Sequence, residues 1–310
     1  MSGVQAQLGH ALETHVFGRT QVLMGRNGGK FPYGNSVLVQ GTEETILIDP
    51  SKSVKERIGE LPHIDRVLLS HCHQDHVAGV HLFPDATVET HPLELDAIHS
   101  LEGLLALHGV PADEQAAFTD NVRTHFAFVP RPDAMAFVPE STIDLGRVRI
   151  DVLHTPGHTH GHCCFVVYGG RRKDEVVFLA DIELSGFGPY YGGPNSCLEA
   201  FDRSLTRVRT LDHEWFATYH HLGVLQQPAF AERSAQYQGM IDTRERKLLR
   251  FLQTPRTLEA AVQHRIVYRA SDTGAHTDRN ERNMLRQHIA RLLSRNLATE
   301  VEPGLYQAGT

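Results

Sequence analysis

Cysteine is scarce in this chain of 310 residues. Cys72, Cys163, Cys164 and Cys197 form no C-x-x-C pair and no spaced framework, which argues against a disulfide scaffold or a cysteine-built structural zinc site. A reducing compartment is the default expectation. Long apolar runs are also missing: the longest, such as Val176-Val177-Phe178-Leu179-Ala180, are far too short to span a bilayer. The N-terminal stretch MSGVQAQLGHALETHVFGRT has no apolar core of signal-peptide type. The expectation is therefore a soluble, cytoplasmic protein with no membrane partner. Excess positive charge is lacking too, since the formal charge is −7, which disfavours a nucleic-acid binder acting through its whole surface. The charge is uneven, however. Residues 241–310 carry twelve Lys/Arg against eight Asp/Glu, a net +4, and the preceding 240 residues carry eighteen against twenty-nine, a net −11.

Histidine is abundant, with 21 copies. An excess of imidazole signals metal ligands only where position supports it. The segment Ser36–Asp49 holds two apolar runs separated by Gly41-Thr42-Glu43-Glu44, a hairpin pattern. Arg66-Val67-Leu68-Leu69-Ser70 reads as a short buried strand, and it ends directly before His71-Cys72-His73-Gln74-Asp75-His76. The histidine-rich segment is thus expected on a loop at a strand's carboxyl end, a common seat of function. A strand at Ala86–Glu89 and a helix over Pro92–His108 follow. Further strands are expected at Thr142–Leu145, Val148–Leu153, His162–Tyr168, Val176–Ala180 and Trp215–Tyr219, with a helix over Ser196–Thr210. Strands and helices mix without strict alternation, so two packed sheets flanked by helices are expected in place of a doubly wound parallel sheet.

Beyond about Gln236 the pattern becomes helical: Ile241–Gln253, Leu258–Ile266 with Thr257 as N-cap, and Arg279–Arg295. Two short strands then flank a Pro303-Gly304 turn. Three helices and a terminal hairpin outline a winged-helix module, which divides the chain into a catalytic domain over 1–238 and a C-terminal domain over 239–310.

His71 and His73 alternate on an extended loop and can project to one side, while Asp75 and His76 are close enough to serve a neighbouring position. Imidazole and carboxylate suit zinc, iron and manganese, and two such ions side by side can clamp the attacking and leaving oxygens of a hydrolysis. Other candidates also follow strands: Thr155-Pro156-Gly157-His158-Thr159, Asp181 and the doublet His220-His221. This ordered set resembles the metallo-β-lactamase fold superfamily, a four-layer αββα sandwich, over roughly residues 30–225.

The resemblance implies that His71, His73 and His158 hold one divalent ion, that Asp75, His76 and a terminal histidine hold a second, and that Asp181 bridges them. His221 is the preferred terminal ligand, because the family's endings align its ligand with His221-Leu222-Gly223; His220 is the alternative. Asp49 is expected to brace the ligand loop without binding metal, and His162 to support the ligands from behind. Asp75 is expected to orient the nucleophile as well. Cys72 reads as a spacer, and His81, His91, His99 and His108 as exposed or packing residues. The stretch Gly186–Pro194 places Phe187, Tyr190 and Tyr191 as candidate substrate contacts.

The tail resembles the small winged-helix tail of the β-lactamase-like protein 2 and fungal polyketide-thioesterase group. Arg279, Arg282, Arg286 and Arg291 fall at spacings that could form a basic face for nucleic acid, with Glu281 interleaved. A structural or pocket-forming tail is the favoured expectation. The function expected is hydrolysis of an ester, thioester or lactone, in a small molecule or carrier-bound acyl group, with two ions, zinc first and iron or manganese as alternatives. Phosphodiester or RNA cleavage and a metal-binding protein without turnover are the other readings.

Overall fold

The structure is a computed structural model that describes residues 12–309. Most of the N-terminal stretch, on which the absence of a signal-type core was read, lies outside the described residues. Two sheets form the body. The first runs in chain order as β1 (Thr14–Phe17), β2 (Thr20–Leu23), β3 (Ser36–Gln40), β4 (Thr45–Ile48), β5 (Arg66–Leu68), β6 (Thr87–Thr90) and β7 (Met135–Ala136). It begins as an antiparallel meander and turns parallel from β4 onward. The second has the order β13-β12-β11-β10-β9-β8, built from β8 (Thr142–Asp144), β9 (Arg149–His154), β10 (Cys163–Tyr168), β11 (Val176–Phe178), β12 (Trp215–Ala217) and β13 (Val224–Gln226).

Side-chain alternation explains why the sheets pack face to face. Val37 and Val39 of β3, Ile46 and Ile48 of β4, Phe165 and Val167 of β10 and Val176 and Phe178 of β11 share one buried cluster between the sheets. Their neighbours point outward. Leu38, Leu47 and Val67 pack under α1 (Leu95–His99), α2 (Leu101–His108) and α3 (Gln115–Thr124). Cys164, Val166 and Val177 pack under α4 (Leu198–Arg209) and α5 (Gln227–Phe251). The result is the expected αββα sandwich. Among the described residues no helix is long and apolar enough to cross a membrane.

Two boundaries differ from expectation. The helix expected over Pro92–His108 breaks at Ser100, whose extended backbone lets its hydroxyl accept from Gly103 N–H at 3.0 Å and so cap α2. The boundary expected between residues 238 and 239 falls inside α5, which continues unbroken to Phe251. Beyond it lie α6 (Leu258–His264), α7 (Ala275–Ser294) and a small sheet of β14 (Arg256–Thr257), β15 (Ala298–Glu302) and β16 (Leu305–Ala308). The expected helices and hairpin are present, and the tail has an apolar cluster of its own around Leu248, Leu285 and Leu292.

Candidate metal centre

Five loops bring the candidate ligands together at one edge of the sandwich. Asp49 follows β4, and His71–His76 follow β5 of the first sheet; His158 follows β9, Asp181 follows β11 and His220 follows β12 of the second. Asp49 and Ala180 have φ of +46° and +47°, a conformation most side chains avoid, so the chain is strained where it turns ligands inward. Gly157 lets the His158 loop approach α4, because a Cβ there would lie 2.2 Å from Phe201 Cβ.

The donor atoms form two adjoining groups, and Glu183 makes a third, overlapping one with Asp181 and His220. In the first, His71 Nε2 and His158 Nε2 each lie 3.0 Å from His73 Nδ1, and Asp181 Oδ2 lies 3.1 Å from His158 Nε2. In the second, His76 Nε2 is 3.0 Å from Asp181 Oδ1 and His220 Nε2 is 2.8 Å from Asp75 Oδ2. Asp181 therefore turns one oxygen toward each group. Tetrahedral ligands at zinc-nitrogen bond lengths would stand about 3.3 Å apart, so this spacing fits a divalent cation at the centre of the first group.

Hydrogen bonds on the far side of each ring set which nitrogen keeps its lone pair. Asp49 accepts from Ser70 N–H at 2.7 Å, from the Ser70 hydroxyl at 2.6 Å and from His76 Nδ1 at 2.8 Å, which turns His76 Nε2 toward Asp181. The Ser70 hydroxyl, its proton given to Asp49, accepts from His71 Nδ1 at 3.1 Å. His158 Nδ1 donates to Tyr190 O at 3.2 Å, and His220 Nδ1 donates to Gly29 O at 2.7 Å. In all four rings Nδ1 is thus engaged away from the site and Nε2 is the nitrogen that faces the donor groups. His162 sits behind, with Nδ1 on Thr155 O and Nε2 accepting Asp181 N–H at 3.2 Å; burial and then His158 push its pKa down to about 3.

Proton affinity divides the same way. Burial first, then neighbouring imidazoles, hold His71 and His73 well below the ordinary histidine range. Burial also opposes charge on His76 and His220, but carboxylates outweigh it: Asp181, Asp49 and Asp75 raise His76, and the bond to Asp75 lifts His220 to about 9. A cation entering the second group has protons to displace; in the first group the lone pairs are already bare.

The preferred terminal ligand is corrected. His220 enters the second group, while His221 faces outward with 38% of its side chain exposed and its Nε2 3.7 Å from Glu183. The cause is a tight turn in which Thr218 Oγ1 donates to His220 O at 2.6 Å and accepts Gly223 N–H, with His221 at φ +65°. Cys72 is buried beside Thr90, away from the donor groups, as a spacer should be.

A cleft of about 370 Å³ opens over the two groups, walled by Phe31, Leu107, Val110 and Phe118 and by polar His108, Tyr190, Glu183, Glu114, Arg279 and Asn280. Of the three aromatic candidates only Tyr190 lines it. Tyr191 is fully buried with its hydroxyl 2.7 Å from His288 Nε2, and Phe187 packs on Tyr268 and Arg244, so these two are corrected from substrate contacts to packing residues. His108, expected to be a packing or surface residue, stacks on His73 with ring centroids 4.8 Å apart, and its buried Nε2 meets no hydrogen-bond partner among the described residues. Glu94 carried no sequence signal. Its carboxylate takes Cys72 N–H at 3.1 Å, the Thr159 hydroxyl at 2.6 Å and Gly161 N–H at 3.1 Å, tying two ligand loops together.

The sequence profile of the metallo-beta-lactamase superfamily matches residues 29–220, the stretch that carries all these ligands. The chain belongs to the metallo-beta-lactamase superfamily. This superfamily member is 27% identical to the lactamase-like protein ptaB of Pestalotiopsis fici over 51% of this chain and 43% of that protein. It is 26% identical to a hydroxyacylglutathione hydrolase of Aeromonas hydrophila over 63% of each. The chain thus covers less than two thirds of either relative's length. Two crystal structures share its fold nearly end to end: a metallo-beta-lactamase family protein from Thermus thermophilus (TM-score 0.68, 20% identity, 94% of this chain and 99% of that one) and a beta-lactamase domain protein from Burkholderia ambifaria (TM-score 0.69, 18% identity, 98% and 96%).

Proposed function

We propose that the protein is a dinuclear metal-dependent hydrolase of an ester, thioester or lactone, in a small molecule or a carrier-bound acyl group. The observation that carries this is Asp181, whose two oxygens face two separate donor groups on the floor of one cleft. Two divalent ions, zinc first and iron or manganese as alternatives, would supply Lewis acidity and lower the pKa of water held there. The chain's own part is orientation. His71, His73 and His158 would hold one ion and Asp75, His76 and His220 the other, and Asp75, whose Oδ2 stands 2.8 Å from His220 Nε2, would also orient the nucleophile. Phe31, Leu107, Val110 and Phe118 give an acyl chain an apolar wall. His108 lines the same cleft, stacked on the ring of His73. Relatives named hydroxyacylglutathione hydrolase support the acyl-sulfur branch of this reading.

The phosphodiester reading is less well supported because three of the four arginines of the expected basic face are occupied by acids. Arg279 pairs with Glu114, Arg282 with Glu259, and Arg291 with Asp202 and Glu245. Zinc-loaded protein screened on a thioester, an ester, a lactone and a bis-aryl phosphodiester should turn over a carbonyl substrate. Asp181→Ala should lower that rate by about a thousandfold, the loss of several kcal/mol of stabilisation at the reacting centre. Turnover of the phosphodiester alone, or an Asp181→Ala protein as active as wild type, would reject the proposal.

A further inference from the structure

Arg244 lies in the C-terminal third of α5 and is 1% exposed. A buried guanidinium normally meets a carboxylate. This one instead donates to three neutral oxygens: Phe187 O at 2.6 Å, Pro189 O at 2.6 Å and the Tyr191 hydroxyl at 2.9 Å. All three belong to the loop that runs from Asp181 toward α4.

The same loop is held at further points by α7. Gln287 donates to Tyr191 O at 3.0 Å, Asn283 donates to Gly192 O at 2.9 Å, and His288 Nε2 meets the Tyr191 hydroxyl at 2.7 Å. The carbonyls of residues 187, 189, 191 and 192 are thus taken by tail side chains. The carbonyl of Tyr190, between them, is left to the metal-site side and accepts from His158 Nδ1 at 3.2 Å. Holding the peptides on both sides of Tyr190 fixes the direction of the one carbonyl left for His158. That carbonyl keeps the proton on Nδ1 and the lone pair on Nε2, the atom that faces His73 and Asp181.

We infer that Arg244 is a positioning residue of the metal centre, acting through the Tyr190 carbonyl on His158, and that the helical tail is therefore a working part of that centre. The inference rests on the dinuclear reading for its effect on metal, and on the hydrogen-bond chain alone for its effect on His158.

The test uses the full-length protein. Arg244→Met keeps much of the side-chain volume and removes all three donors. Zinc affinity would be measured by competition with a chromophoric chelator, and the His158 tautomer by ¹⁵N resonances of histidine-labelled, metal-free protein. The expected result is zinc binding weakened roughly tenfold or more, together with loss of the His158 Nδ1–H signature and retention of that of His76, whose partner Asp49 is untouched. A folded Arg244→Met protein with wild-type affinity and an unchanged His158 signal would overturn the inference. Should Arg244→Met fail to fold, the double variant Tyr191→Phe, Gln287→Met releases the same loop more gently. It is expected to move the His158 signal in the same direction, and an unmoved signal would count against the inference. Wild-type protein that takes up fewer than two ions would reject the dinuclear reading, whereas the His158 resonance in metal-free protein still decides the role of Arg244.

Discussion

A histidine that donates from Nδ1 to an oxygen fixed by the fold holds its other nitrogen aimed, and His220 meets that condition through Gly29 O and Tyr33 O. Among the described residues His221 makes no such contact, and its ring is partly in solvent. His220→Ala should therefore lower the metal content toward one ion per chain and cut turnover by at least about a hundredfold, while His221→Ala stays within a few-fold of wild type. Elemental analysis alongside kinetics checks this, and the reverse ranking would refute the assignment. His71, His73, His76, His158 and Asp181 were legible because each follows an apolar run that folds as a strand. The choice within the doublet was not legible. It depends on a left-handed residue at 221 and on the Thr218 hydroxyl, which closes the turn through backbone contacts that no spacing rule encodes. His108 was hidden for another reason: the ring it stacks on is 35 positions earlier in sequence, and only packing unites them.

At the scale of elements, the ends of the α1–α2 region carry chemistry that its apolar pattern conceals. His91 caps the turn before α1, its Nδ1 accepting Leu93 N–H at 3.1 Å, and it stacks on His154 with centroids 4.3 Å apart. An accepting Nδ1 must be unprotonated, and burial, then His154, lower the pKa from 6.5 to about 4. Because the folded value lies below the unfolded one, the unfolded chain takes up the proton first. This contribution to stability is full above about pH 6.5 and is lost as pH falls through about 4. The denaturation midpoint of metal-free protein should fall across that window, and His91→Asn, which retains an acceptor but cannot be protonated, should fall less steeply. Equal slopes would remove His91 from the account. Sequence showed the strands β3 to β6 and β8 to β12, the helix α4 and the tail helices, but not β1, β2, β7, β13, β14, α3 or the first half of α5. In α3 only Val122 is buried, and the start of α5 alternates polar residues around Phe230, Ser234 and Tyr237, so neither produces a strong apolar stripe.

At the scale of the whole molecule, the donor groups lie across the seam of the sandwich: Asp75, His71, His73 and His76 come from the first sheet, and His158, Asp181 and His220 from the second. Ions bound there would join the two sheets, so removing them should loosen the body as well as silence it. Chelation is expected to lower the melting temperature by several degrees. Reloading at a hundredfold excess over Kd should return about 2.7 kcal/mol, and a melting curve indifferent to chelator would contradict this. The helix α5 has a different consequence, for anyone recombining such proteins. It begins beside β13, passes under Phe216 through Phe230, carries Arg244 to the ligand loop and ends among the tail's own apolar residues. One continuous rod serves both bodies. A chimera joined between residues 238 and 239 would splice two halves of a single lever, whereas a graft that kept Gln227–Phe251 whole would carry the ligand-loop clamp along with the tail.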